Sequence, residues 1–435
     1  MKNTATIVYF VYMLQNLFSV FIASYTGHGL SIQVLRQLYL FSPLWAPVCF
    51  GWFFWEMWRS YTLAAFLANW KHCLLEIKLP QEIHKTPIAM ELVLLALHQT
   101  SGESTFIDRY WLGKRRTWFS LEMVSFGGEV HFFIWTHSIF KNQIETAIYS
   151  QYPGVEIHEV PDFAELVRYN PDTMAVWGAE FILTKPDVYP IKTYVDYGLD
   201  KEGVKEEFKS DPLTPLIEFL GSVHASGQLW TQILIQSHKN DIAVPHGRFL
   251  TKKTNWVTQA EAEVNRLLNR DPKTKAYMQD PGSLVAVRPQ YSKMELEAIE
   301  AIQRSIAKPA FNVGIRSIYI APPNQFDPVN VVGMLSCWKQ FSSMTLNGFR
   351  PTRWHSIFDY PWQDFRNIRR DRFSRRIIEY YKRRAYFHAP YKQKPSILNV
   401  EELATIFHFP GGVLATPSFR KIMSKKSEPP ANLPI

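Results

Sequence analysis

Three features of the sequence predict an α+β protein held behind a pair of membrane helices. Two long apolar runs occupy the first sixty or so residues. An order of strand, helix, two strands, helix and strand follows them. A looser copy of that order comes next.

The first apolar run is Ile7 to Tyr25, IVYFVYMLQNLFSVFIASY, with no acidic or basic side chain. About nineteen residues at about 1.5 Å each come close to crossing a hydrocarbon core. Gln15 and Asn16 interrupt it, and such groups can hydrogen-bond to a second helix. The second run, Leu38 to Trp58, supplies one, with aromatic residues near its ends and kinks at Pro43 and Pro47. Lys2, Arg59 and Lys71 flank the pair on the outside, and the loop between holds one Arg. The positive-inside rule then places both termini in the cytoplasm. The expectation is a multi-pass protein of the inner (plasma) membrane, with membrane lipid as a partner and its soluble domain cytoplasmic. A signal peptide ending near Ala23 is the rival, and the apolar run directly behind it argues against cleavage.

From Leu74 the pattern changes. Leu74 to Leu79 is a strand, and Thr86-Pro87 opens a helix with the stripe Met90, Leu94 and Leu97. Phe119, Leu121 and Met123 alternate, Gly127-Gly128 makes a tight turn, and Val130, Phe132 and Ile134 alternate again. A helix from Ser138 carries Phe140, Ile144 and Ile148, and Val155 and Ile157 end the unit. This β-α-β-β-α-β order is that of the ferredoxin-like unit. In the second copy Trp177 to Leu183, Leu229 to Ile235 and Val313 to Tyr319 are strands. Thr214-Pro215 and Asp327-Pro328 open helices, a polar and partly helical insertion runs from Ser237 to Lys308, and the last strand falls near Ile357. The expected organisation is a transmembrane hairpin over 1–60, a first ferredoxin-like unit over 70–165, a second, insertion-bearing unit over 175–360, and a basic helix with an extended connector over 361–435.

A chain of 435 residues with 46% hydrophobic and 20% charged residues is packed rather than disordered. Its net charge of +9 suits a polyanion, nucleic acid or an anionic membrane face, as well as it suits ordinary solubility. Cys49, Cys73 and Cys337 stand apart, which excludes a CxxC zinc or redox pair and argues for a reducing compartment. Gly113-Lys114 is followed by Arg115, and Asp108 stands where a phosphate loop needs its first glycine. HExxH, GxSxG and GxGxxG are missing too. His131 and His137 flank the end of a strand and are too few for a metal. No catalytic, cofactor-binding or metal-binding residue is therefore assigned, and no cofactor is expected.

The strongest charge feature runs from Arg366 to Arg384, RNIRRDRFSRRIIEYYKRR. Its basic residues are Arg366, Arg369, Arg370, Arg372, Arg375, Arg376, Lys382, Arg383 and Arg384, against Asp371 and Glu379. On a helix Arg369, Arg372, Arg376 and Arg383 share a flank, beside an apolar stripe of Phe373, Ile377, Tyr380 and Tyr381. Such a helix can grip DNA phosphates, lie on anionic lipid, or bury its stripe and solvate its arginines.

Leu398 to Gly411 reads LNVEELATIFHFPG, followed by TPSF and a final EPPANLPI, and Leu74 to His98 reads LLEIKLPQEIHKTPIAMELVLLALH. These stretches resemble the membrane-anchored, non-motor N-terminal region of bacterial conjugation or type IV secretion ATPases, over roughly residues 60 to 435. In that family the ATPase core follows the EELATLFHFP-like stretch. Here Ile435 comes first, so no ATP-binding residue carries over. The resemblance implies a non-catalytic, membrane-anchored component of a DNA or protein transfer apparatus. It would work in an oligomeric assembly and dock a separately encoded ATPase, unless the chain is half of a split one. A membrane-tethered nucleic-acid-binding module and an unrecognised membrane enzyme are the alternatives.

Overall fold

The structure is a computed structural model that describes residues 37, 39–80, 85–103, 105–200, 211–239, 242–246, 250–268, 291–353, 360, 362–388 and 391–410. The chain divides into two compact units, 1–69 with 105–114, and 70–104 with 115–435.

The smaller unit is built on helix α1 (Ser42–Ala68), which has Pro43 in its first turn and carries Pro47 within it. Among the described residues no helix is long and apolar enough to cross a membrane. The expected transmembrane hairpin, and with it the multi-pass membrane localisation, is corrected accordingly. The second apolar run does not end as a span should. It continues as helix through Glu56 and Arg59, which pair at 2.7 Å, and on to Ala68. Two of its tryptophans, Trp55 and Trp58, pack within the unit, whereas Trp45 and Trp52 are exposed. Trp55 stacks on Phe106, Trp58 lies against Trp111, and the Trp58 indole N–H donates to the Tyr110 carbonyl at 3.0 Å. The first run, Ile7 to Tyr25, lies outside the described residues.

The larger unit opens with β1 (His72–Lys78), α2 (Pro87–Ala96), β2 (Trp118–Phe126), β3 (Glu129–His137), α3 (Lys141–Gln151) and β4 (Glu156–Val160). Gly127 and Gly128 take φ of 59° and 90°, the left-handed pair that a two-residue hairpin needs. They set the antiparallel register Leu121↔Ile134 and Met123↔Phe132. The one-turn α4 (Phe163–Leu166) leads to β5 (Ala175–Leu183), α5 (Thr214–Gly221) and β6 (Gln228–Ser237). The insertion follows as a hairpin, β7 (Ile242–His246) and β8 (Leu250–Thr254), and two helices, α6 (Trp256–Leu267) and α7 (Lys293–Ile306). Both helices open on capping boxes, Asn255 with Thr258 and Ser292 with Glu295. The copy closes with β9 (Ala310–Ala321), α8 (Pro328–Cys337) and β10 (Phe349–Arg353). The last strand thus falls earlier than Ile357, which lies outside the described residues. The chain then adds α9 (Ile368–Lys382), β11 (Ser396–Asn399) and α10 (Val400–Ile406).

Among the described residues β1–β6 and β9–β11 form one nine-stranded antiparallel sheet of order β10-β5-β9-β6-β2-β3-β1-β4, with β11 also on β9. Within each half the fourth strand lies beside the first, then the third, then the second. The halves meet where β2 pairs with β6, from Trp118↔Gln236 to Phe126↔Gln228. One face of the sheet carries the main core. Leu75, Leu121, Phe132, Ile233, Ile315 and Phe181 pack there against Met90 and Leu94 of α2, Ile148 of α3, Leu220 of α5, Met334 of α8 and Leu403 of α10. The opposite face carries α4 and α9, and under them a layer of charge.

Candidate polyanion-binding helix

Helix α9 forms because its apolar and basic residues fall on different sides of one cylinder. Ile377, Ile378, Tyr381 and the small Ser374 are buried against the sheet. Each large apolar side chain contributes roughly 1.5–3 kcal/mol by leaving water. The sheet makes room for them. A Cβ on Gly178 would stand 2.4 Å from Ile377 Cδ1, and one on Gly314 would stand 2.6 Å from the Tyr386 ring. Asp364, four residues before the helix, accepts the backbone N–H groups of Arg369 and Arg370 in its first turn at 2.8 and 2.7 Å.

The nine basic residues separate by position. Arg366, Arg369, Arg372, Arg375, Arg376 and Arg383 are exposed, Arg370 and Lys382 are half-buried, and Arg384 is fully buried. Arg383 and Lys382 lie 3.7 and 3.8 Å from Glu379. Among the described residues no carboxylate stands within ion-pair distance of Arg369, Arg372, Arg375 or Arg376. The expected flank of Arg369, Arg372, Arg376 and Arg383 is exposed, whereas Arg384, one of the nine expected polyanion contacts, belongs to the interior.

Beneath the helix, Glu122, Gln232, Arg316 and Glu180 stand in register across β2, β6, β9 and β5. Gln232 donates to Glu122 at 3.1 Å and accepts from Arg316 at 3.2 Å, and Arg316 reaches Glu180 at 3.0 Å. The Tyr391 hydroxyl donates to the same Glu180 oxygen, and its ring stacks on Tyr380 of α9 at 3.7 Å. Arg384 completes the row from above. Its Nε donates to Glu122 at 3.0 Å, and its two terminal nitrogens clasp Asp162, the N-cap of α4. Burial works against the Arg384 charge, but Glu122 and Asp162 outweigh it and hold the guanidinium protonated well beyond its ordinary range. Burial, then Glu122, pushes the Tyr381 phenol well up.

Sequence reasoning assigned none of Glu122, Gln232, Arg316, Glu180 or Asp162 to a site. On strands with one apolar face, polar residues in the opposite phase read as solvent-facing. The signal that could have found them is a polar residue at the middle of each of four strands, in both halves.

A cavity of about 70 Å³ is lined by Glu180, Phe373, Arg376, Ile377, Tyr380 and Tyr391. That volume suits a water or two, not an organic substrate. A wider, open cleft lies by Tyr189, Glu263, Arg266 and Met294, where Arg266 is already paired to Glu263 at 2.6 Å. Among the described residues no group of three His, Cys, Asp or Glu is placed to hold a metal. His131 bonds Glu76 at 2.8 Å, and His137 accepts the Ile139 N–H.

Leu398 to Pro410, the described part of this motif, is buried throughout. Every residue of α10 is buried. Glu402 accepts the backbone N–H groups of Ile191 and Asn399, both at 2.9 Å. Glu401 takes the Thr193 hydroxyl and lies 3.2 Å from Arg304 and 3.0 Å from Lys308. His408 bonds Asp211 at 3.0 Å. Gly411 lies outside the described residues, as do TPSF and EPPANLPI.

Residues 72–421 match the family described as a domain of unknown function (DUF8128). This chain belongs to that family. The match runs from the first residue of β1 past α10, so it takes in the whole sheet, the charged row and the basic helix. No curated protein matches the chain.

Proposed function

We propose that this chain is a non-catalytic binding module that takes a polyanion, nucleic acid foremost, along the solvent-facing arginines of α9. One observation carries the reading. Arg369, Arg372, Arg375 and Arg376 face solvent without an ion-pair partner among the described residues, whereas the buried acids below already hold Arg316 and Arg384. The cationic face is thus surplus to what the fold needs, and phosphate is the anion an arginine fork fits best. The resemblance to the non-motor part of transfer ATPases favours nucleic acid as the source of that phosphate.

The test is binding of the full chain to labelled duplex and single-stranded DNA at about 50 and about 200 mM salt. Changing Arg369, Arg372, Arg375 and Arg376 together to Ser should weaken binding for every sequence and flatten the salt slope by about 0.7–0.9 per lost contact. All four are exposed, so the fold should survive, which circular dichroism would check. Affinity and slope equal to wild type would refute the proposal.

A further inference from the structure

The turn that leads into α9 carries a feature the arginine flank does not use. Large apolar side chains stand in water there: Tyr360 is 54% exposed, Trp362 79%, Phe365 72% and Ile368 53%. Tyr360 and Trp362 stack with centroids 4.7 Å apart and planes 10° apart. The Arg366 guanidinium lies 5.2 Å from the centroid of the Phe365 ring. The arrangement is tied down. The Gln363 N–H donates to the Tyr360 carbonyl at 2.9 Å, and Asp364 holds the first backbone donors of the helix. Arg366 and Asn367 take φ of 54° and 59°, a left-handed pair that costs energy at residues other than glycine.

An exposed aromatic cluster beside cations that have no ion-pair partner among the described residues fits a ligand with flat rings strung on negative charge. Every unpaired base offers a ring face, and aromatic side chains beside arginines are the usual means of holding them. A duplex keeps those faces stacked on each other. We infer that Tyr360, Trp362 and Phe365 form a stacking platform for the bases of a single-stranded nucleic acid, whose phosphates run along Arg366, Arg369 and Arg372. The inference rests on the polyanion reading above and narrows it to strands with unpaired bases.

Fluorescence anisotropy with the full chain tests it, using an oligothymidylate and an oligouridylate of about twelve nucleotides and a duplex of equal length. Either single strand should bind about tenfold tighter than the duplex at equal salt. The double variant W362A/F365A should lose about tenfold or more on single strands and less than about twofold on the duplex. The thymidylate and uridylate arms separate DNA from RNA. Equal affinity for single strand and duplex, or a W362A/F365A variant that binds single strands as wild type does, overturns the platform and leaves the polyanion reading standing. No binding to any of the three at about 50 mM salt overturns both.

Discussion

Arg384 takes a left-handed φ of 46° just past the end of α9, where glycine is the usual occupant. The Arg384 N–H bonds the Tyr381 carbonyl at 3.0 Å, and the next N–H bonds that of Tyr380 at 3.0 Å. A side chain at such a φ costs about 1–2 kcal/mol. The arginine persists because its guanidinium neutralises Glu122 and Asp162, carboxylates that burial would otherwise leave uncompensated. Arg384→Gly relieves the backbone and removes the charge, so the two effects oppose each other. Unpairing a buried ion pair costs about 3–5 kcal/mol, which exceeds the relief. Urea unfolding should therefore show R384G destabilised by roughly 1–4 kcal/mol. A variant as stable as wild type would show that the charged row contributes nothing. Nothing in the linear sequence set Arg384 apart from Arg383, because the difference lies in which residue falls past the helix end.

At the scale of elements, α9 is legible in the sequence and α10 is not, for one reason. Helical spacing separates Ile377 and Tyr381 from Arg369, Arg372 and Arg376, and the structure keeps that division. In α10 the pair Glu401-Glu402 suggests a solvated surface, yet both are buried because they bond groups from distant segments. That burial has a consequence in pH. Burial pushes the Glu402 carboxyl up from 4.5 to about 8, against the pull of its two backbone donors. Burial lowers His408, but the Asp211 carboxylate outweighs it and the net value is raised. Each group keeps its proton longer folded than unfolded, so each stabilises at low pH and loses that stabilisation as pH rises through its folded value. His72, His238 and His388 are depressed and act in the opposite sense, but only below their unfolded value near 6.5. Between pH 6.5 and about 8 the melting temperature should fall. The Glu402 share is at most about 1.4 kcal/mol per pH unit. Glu402→Gln keeps an amide oxygen for one backbone donor and cannot ionise, so its melting curve should be flatter across that window. An unaltered slope in E402Q would assign the pH dependence elsewhere.

The whole molecule depends on a junction that local pattern could not reveal. The order of strands and helices within each half follows from alternation, turn chemistry and helix openings such as Thr86-Pro87 and Asp327-Pro328. The pairing of β2 with β6 has no connecting turn to set its register, and many residues separate the two strands. What holds it is the pair of faces. On one, Leu121 and Ile233 are opposite each other in the shared core. On the other, Glu122 and Gln232 are opposite each other and belong to a single hydrogen-bonded row reaching Arg316 and Glu180. Helix α10 adds a bond to each half. It sits on α2 of the first copy, while β11 before it pairs with β9 of the second. Opening either half alone would expose the long edge of the other and strip Glu122 or Arg316 of its partners. The sheet-bearing unit should therefore unfold as one cooperative body despite its size and its two copies of a pattern. Single-Trp fluorescence can check this, with Trp135 as the reporter in the first half and Trp177 in the second, both within the sheet. The two midpoints in urea should coincide. Gln232→Leu, which cuts the row at the junction, should lower both together. Separate midpoints in the parent would mean that each half folds on its own and that the β2–β6 seam is a docking contact instead of part of one core.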